Sequence, residues 1–356
     1  MEIQMSPLDS NAKSIFIEEL ENKLKAEVIG QDEEITKIIK LIETHITGYN
    51  DPEVPVGVVL CLGPSGTGKT VLTTKLAEHL FGNVKALIRL NCADFKDNYQ
   101  TNRLIGAPPG YSGYKDKSVD SYISQDKLDE FHTEDLKLTI VVLDEIEKAN
   151  VALYEYFLAI FNDGEGRVNS NTVSFRNTLF IMTSNLGSRK MSQSLGFSPQ
   201  EVKHMHDSNI SSAMSAVKKH FEPEFINRID EICVFKPLSR EVIEKIFDVQ
   251  ICKIRKRFIT NKKVQPQFVF RILDSARDEL IKQGFDPEYG ARPLIRILKR
   301  HIINKLAAMT LSGQIFYGDL VIIGFDGKDF TYNKYEEEEV NKLTEEEWLD
   351  FQQNIK

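Results

Sequence analysis

Gly63-Pro64-Ser65-Gly66-Thr67-Gly68-Lys69-Thr70 follows the apolar run VGVVLCL (56–62) and opens a helical pattern over residues 69–81. Strand, glycine-rich turn and helix, in that order, form the context in which G-x-x-x-x-G-K-[ST] cradles phosphates. The glycines let successive backbone N–H groups close around phosphate oxygens, and the helix start adds the positive end of its dipole. Lys69 is expected to reach the β- and γ-phosphates, and the Thr70 hydroxyl to ligate Mg2+. ATP and Mg2+ are therefore the expected cofactors.

Outward from this turn, short apolar runs alternate with helical patterns from about residue 26 to 236, which predicts an α/β fold with a parallel sheet. The strand candidates are Val56–Leu62, Ala86–Leu90, Thr139–Leu143, Thr178–Thr183 and Glu231–Phe235. Continuous apolar runs among them fit strands covered on both faces. The third run ends in Asp144 and Glu145. Asp144 is expected to hold the Mg2+ shell and Glu145 to polarise an attacking water as general base. The fourth run leads to Asn185, which can donate to a γ-phosphate or orient the water; its spacing fits an ordinary polar turn equally well.

Residues 1–25 read as a polar helical lead-in. After Pro237 the composition shifts, and residues 239–312 read as helices, including Glu241–Phe258 and Leu294–Leu311. In the second of these, Leu294, Leu298, Ile302, Leu306 and Met309 form one apolar stripe. Residues 318–325 read as a terminal strand. From about 328 the chain reads as an acidic, solvated tail. The expected organisation is thus a lead-in (1–25), a large α/β domain (26–236), a small domain (237–327) and the tail (328–356).

Composition excludes several classes. No apolar run reaches the roughly 18 residues a membrane span needs, and residues 1–10 lack the pattern of a secretory signal. Cys61, Cys92, Cys233 and Cys252 are scattered with no C-x-x-C pair, which argues against zinc or a disulfide framework and fits a reducing, cytoplasmic setting. A net charge of −8 argues against broad nucleic-acid binding.

The segments LIGAPPGYSGY (104–114), VVLDEIEKA (141–149), FRNTLFIMTSNLGS (175–188), PEFINRIDEI (223–232) and DPEYGARPL (286–294), with the P-loop, resemble the second ATPase module of Clp-family AAA+ unfoldases and disaggregases. The resemblance runs from Val28 to Pro293, roughly four fifths of the chain. It implies a P-loop AAA+ parallel-sheet domain followed by a small helical C-terminal lid domain. By position it also implies that Val28 and Ile29 line the adenine pocket. Arg228 would be the arginine finger that reaches a neighbouring subunit, and Arg292 the sensor arginine of the small domain. Arginine suits both roles, because phosphoryl transfer is catalysed by placing a planar, permanent positive charge on developing negative charge. A finger supplied in trans implies the family's usual homohexameric ring.

The resemblance places Tyr111, within Gly110–Tyr114, as the aromatic of a pore loop that grips polypeptide; Ser112 stands where the usual pattern has Val. The alternative is a Gly/Tyr turn packed on its own domain. Residues 163–171 match a second pore-facing loop. Leu195-Gly196-Phe197 fits the tripeptide with which protease-coupled Clp unfoldases dock on a peptidase, or else a loop anchor tucked onto its own domain. The resemblance covers neither a substrate-binding N-domain, a first ATPase module nor a coiled-coil insertion, so a single-tier ring or a separate adaptor is expected. The leading expectation is an ATP-driven unfoldase or remodelling chaperone that threads polypeptide. The alternatives are a peptidase-associated unfoldase subunit and an ATP-dependent assembly switch.

Overall fold

The computed structural model describes residues 9, 12–97, 100, 101, 104, 122–168, 171–188, 199–260, 268–316 and 318–335. The run before the P-loop becomes β1 (Gly57–Leu62), buried at every position. With β2 (Ile88–Asn91), β3 (Thr139–Asp144), β6 (Thr178–Ser184) and β7 (Glu231–Val234) it forms a five-stranded sheet ordered β2-β3-β6-β1-β7. Every neighbouring pair in this sheet is parallel.

The continuous apolar sequence of β1 is explained by a core on each face. Side chains alternate across a strand, so Val58, Leu60 and Leu62 enter one core while Val59 and Cys61 enter the other. The first core is filled by the helix Val151–Asp163 and an aromatic group built on Phe157, Phe161, Phe175 and Phe180. The second takes Leu72 and Leu76 of the helix Lys69–Phe81, Ile35, Ile38, Ile39 and Ile42 of the helix Asp32–Ile46, and Ile17, Leu20 and Leu24 of the helix Ile15–Glu27. The lead-in therefore ends in a packed helix, started by Ser14, whose hydroxyl accepts the Ile17 N–H. A hairpin of β4 (Glu165–Val168) and β5 (Asn171–Ser174) occupies most of the stretch read as a second pore-facing loop.

The chain divides into two compact units, residues 1–63 with 68–236, and residues 64–67 with 237–356. In the second, the long helix Arg240–Thr260 appears where the pattern predicts it. Two strands were not predicted. β8 (Val269–Ile272) interrupts the stretch read as wholly helical, and β10 (Phe330–Tyr335) forms where a solvated tail was expected. Both pair with β9 (Leu320–Phe325), β8 in parallel and β10 antiparallel. The physical reason is apolar alternation: Phe270 is buried, and Phe330 and Tyr332 pack on the same core.

The stripe predicted over Leu294–Leu311 is present, with Leu294, Leu298, Ile302 and Leu306 buried. Four-residue spacing drifts around an α-helix, which has 3.6 residues per turn. The helix absorbs the drift with a π-helical turn at Lys299–Ile303 between its α-helical ends, Arg292–Leu298 and Asn304–Leu311. Among the described residues no helix is long and apolar enough to cross a membrane.

Candidate functional site

β1 ends in the P-loop, whose backbone needs its glycines. Gly63, Gly66 and Gly68 have φ of 138°, 76° and 112°. A Cβ at Gly63 would meet the Phe235 carbonyl oxygen at 2.6 Å, and one at Gly68 would meet Val28 Cγ1 at 3.1 Å. The helix Lys69–Phe81 then begins without a side-chain cap and without an acidic residue in its first turn. A lysine at an uncapped helix start opposes the dipole, so this turn is built against its own local stability. An anion set against the N–H groups of this helix start would relieve it, and the residues present therefore fit a phosphate group.

Lys69 is buried, and its ammonium donates to the Gly63 carbonyl at 2.5 Å and to Asn185 Oδ1 at 3.1 Å. Thr70 is exposed. Asn185 directly follows β6, which lies beside β1, so adjacent strand ends bring these two predicted residues together.

On its other side β6 flanks β3, which ends in Asp144. The Thr183 hydroxyl donates to Asp144 Oδ1 and accepts the Glu145 N–H at 3.1 Å. Glu145 is the one non-glycine residue among those described with positive φ, at 56°. Side chains other than Gly, Asn and Asp enter this region at a cost, and such strain gathers at functional turns. The Glu145 carboxylate pairs with Lys148 at 2.5 Å. Hydrogen bonding to Glu145 raises the Lys148 pKa against a small opposing effect of burial.

Two further residues hold this corner that the sequence reading did not single out. Glu147 Oε1 accepts the Asn185 N–H at 3.2 Å, while its Oε2 is buried with no partner among the described residues. Gln31 forms a reciprocal pair with the Lys236 backbone, donating to its carbonyl at 2.9 Å and accepting its N–H at 3.0 Å. That clamp fixes the segment carrying Val28, which is buried, and Ile29, which is partly so.

Arg228 lies outside this cluster. It is exposed, follows the short helix Pro223–Ile226, and its side chain has no partner among the described residues. Its backbone is held: Arg228 N–H donates to the Phe225 carbonyl at 3.2 Å, and Asp230 and Val58 exchange hydrogen bonds at 2.7 and 2.9 Å. Burial raises the Asp230 pKa against that backbone bond. In the second unit, the Arg292 guanidinium donates to the Ser65 hydroxyl and Ala291 N–H to the Gly66 carbonyl at 3.1 Å. Tyr111 and Leu195-Gly196-Phe197 lie outside the described residues.

Comparison with known proteins places this arrangement. Residues 54–232 match the family described as AAA domain (Cdc48 subfamily), and residues 238–323 match the C-terminal, D2-small domain of ClpB protein. The chaperone protein ClpB of Pseudomonas putida is 37% identical over 314 residues, covering 88% of this chain and 34% of that protein. The ATP-dependent Clp protease ATP-binding subunit ClpC of Staphylococcus aureus is 34% identical over 317 residues, covering 88% and 37%. The chain thus spans about a third of the length of these curated relatives. An S. cerevisiae Hsp104–casein complex in its extended conformation superposes with a TM-score of 0.78 at 30% identity, covering 92% of this chain and 53% of that one. A closed-state reconstruction of Hsp104 with ATPγS and FITC-casein gives 0.75 at 30% identity, covering 89% and 51%. The chain belongs to the Clp family of AAA+ ATPases, in which it corresponds to the second ATPase module with its small C-terminal domain.

Proposed function

We propose that this chain hydrolyses ATP and uses the energy to unfold or remodel polypeptide drawn through a ring of its own copies. The observation that carries the catalytic half is the meeting of Lys69, Asn185, Asp144 and Glu145 at the ends of three adjacent parallel strands. In open α/β sheets, ligands bind outside the carboxyl ends of the strands.

In this reading residues 63–70 cradle the phosphates and Lys69 neutralises them. Val28 and Ile29 face the adenine. Asn185, held by Lys69 and by Glu147, orients the attacking water, and Glu145 takes its proton. Thr70 and Asp144 would hold Mg2+, which supplies charge neutralisation on the phosphate oxygens. Among the described residues no cluster of three His, Cys, Asp or Glu side chains could hold a metal ion by itself, so these two would share the ion with phosphate and water. Arg292 serves the same nucleotide. The exposed Arg228 completes a neighbour's site, which makes hydrolysis depend on assembly into a homohexamer.

Threading is supported by relationship. The relatives include a chaperone, a protease's ATP-binding subunit and Hsp104 complexes that contain casein. Tyr111 is the residue proposed to grip the polypeptide. In a Tyr111→Ala variant ATP hydrolysis should persist while unfolding of a tagged fluorescent substrate collapses; unchanged unfolding would rule out threading by this loop. The likeness to ClpC favours one further reading, in which Leu195-Gly196-Phe197 docks a Clp-type peptidase. Deleting those residues should then abolish substrate degradation in the presence of peptidase and spare unfolding.

A further inference from the structure

Tyr154 stands between two parts of the proposed machinery. It lies in the first turns of the helix Val151–Asp163, and its hydroxyl donates to the Ile146 carbonyl at 2.8 Å. Ile146 follows Glu145, the residue with the left-handed backbone. On its other side the Tyr154 ring meets Phe225 at 5.6 Å and Phe221 at 5.3 Å, both edge-on. Phe225 belongs to the helix Pro223–Ile226, and its carbonyl accepts the Arg228 N–H. One side chain therefore touches both the turn that sets Glu145 and the short helix that sets Arg228.

The hydroxyl is not needed to satisfy the carbonyl it reaches, because Ile146 O already accepts the Ala149 N–H at 3.1 Å. Nor is it needed to fill space, since a phenylalanine ring would make the same edge contacts. What the hydroxyl adds is a directional tie from the aromatic group to the Glu145 turn. Burial raises the phenol pKa, so the group remains a donor across the physiological range. His220 Nε2 lies 3.4 Å from the same oxygen and closes the group on its outer side.

We propose that Tyr154 is a positioning residue that couples the Glu145 turn of its own subunit to the Arg228 it presents to the neighbouring one. It rests on the roles proposed for Glu145 and Arg228. A shift of the turn moves the Ile146 carbonyl, the phenol follows, and the ring carries Phe225 with the backbone that aims Arg228. Both sites thereby bias one physical element, which is what coupling requires.

Mixed assemblies test this. Glu145→Gln subunits present Arg228 but lack the base, whereas Arg228→Ala subunits keep Glu145 but present no arginine. Mixed, the two should turn over ATP faster than either alone. Adding Tyr154→Phe to the Glu145→Gln subunits should lower kcat of the mixture by roughly fivefold, about the worth of one hydrogen bond, with KM unchanged. That effect acts across the subunit boundary, because the altered subunits lack the base. Sedimentation of the Tyr154→Phe subunits should match the parent and their melting should fall by no more than about 2–4 °C, which separates positioning from a structural role. An unchanged kcat overturns the coupling, as does a loss of kcat that merely follows loss of assembly. A mixture no faster than its components overturns the role of Arg228, and the coupling with it.

Discussion

Glu21 and Glu145 are both carboxylates of the first unit, and the fold treats them in opposite ways. Glu21 is 4% exposed and accepts hydrogen bonds from Lys13, Lys25 and Thr36. Burial alone would raise its pKa; these donors outweigh burial and hold it at about 2, against an ordinary 4.5. Glu145 sits on a strained turn and has, among the described residues, one partner for its carboxylate, Lys148. An acid whose oxygens are saturated serves stability. An acid with spare oxygen capacity at a strand end beside the P-loop fits the general-base role proposed for Glu145.

The largest expected effect separates the two. Glu145→Gln should lower kcat by roughly 10²- to 10⁴-fold, the usual contribution of a general base, while nucleotide affinity and melting temperature stay near the parent's. Glu21→Gln should leave kcat within about twofold when assayed well below its melting temperature. A comparable catalytic loss from Glu21→Gln, with the protein still folded, would break the contrast.

Glu21 should dominate instead in stability. A carboxyl shifted from 4.5 to about 2 on folding contributes roughly 3 kcal/mol. Because the folded pKa is the lower one, that contribution is complete above about pH 4.5 and is lost as pH falls towards 2. For a unit of this size, 1 kcal/mol moves the melting temperature by about 2–4 °C. Glu21→Gln should therefore melt roughly 6–12 °C lower at pH 7 and converge on the parent near pH 2. A difference that stays constant across this range would mean that packing, rather than charge, explains the loss.

This contrast also marks how far the sequence could be read. The P-loop, the strand ends at Asp144 and Asn185 and the parallel sheet were legible because each lies in a local pattern: an apolar run, a glycine spacing, a charged pair. β10 was obscured because Phe330–Tyr335 abuts a run of glutamates, so charge outweighed its alternation of Phe330 and Tyr332 with Thr331 and Asn333. β8 is only four residues long between helices. The Gln31 clamp was illegible because its partner, Lys236, lies 205 residues away. The dual role of Thr183 and the orphan oxygen of Glu147 depend on which strands become neighbours, and no single segment encodes that.

The Gln31 clamp should produce an intermediate effect. Gln31→Ala removes both hydrogen bonds to the Lys236 backbone and leaves a part-buried carbonyl and N–H without them. Each such loss costs about 0.5–1.5 kcal/mol. The segment carrying Val28 and Ile29 should loosen, and ATP affinity should fall more than kcat. Isothermal titration with a non-hydrolysable analogue would measure this; a fall in kcat with unchanged affinity would detach the clamp from the adenine pocket.

The smallest effect concerns Lys148, the single partner that brings Glu145 part of the way towards Glu21. The pair is exposed, with side chains 45% and 36% accessible, so it contributes about 0.2–1 kcal/mol. If Glu145 must leave Lys148 before it can take a proton from water, that contribution is added to the barrier. Lys148→Gln should then raise kcat by up to about fivefold. Salt should do the same for the parent, since at 0.15 M the screening length is already about 8 Å. The parent's kcat should accordingly rise between low and moderate ionic strength, and the Lys148→Gln variant should be insensitive to it. A variant slower than the parent at every ionic strength would instead make Lys148 part of what holds Glu145 in place. The resemblance between the two glutamates would then be closer than their hydrogen bonds imply.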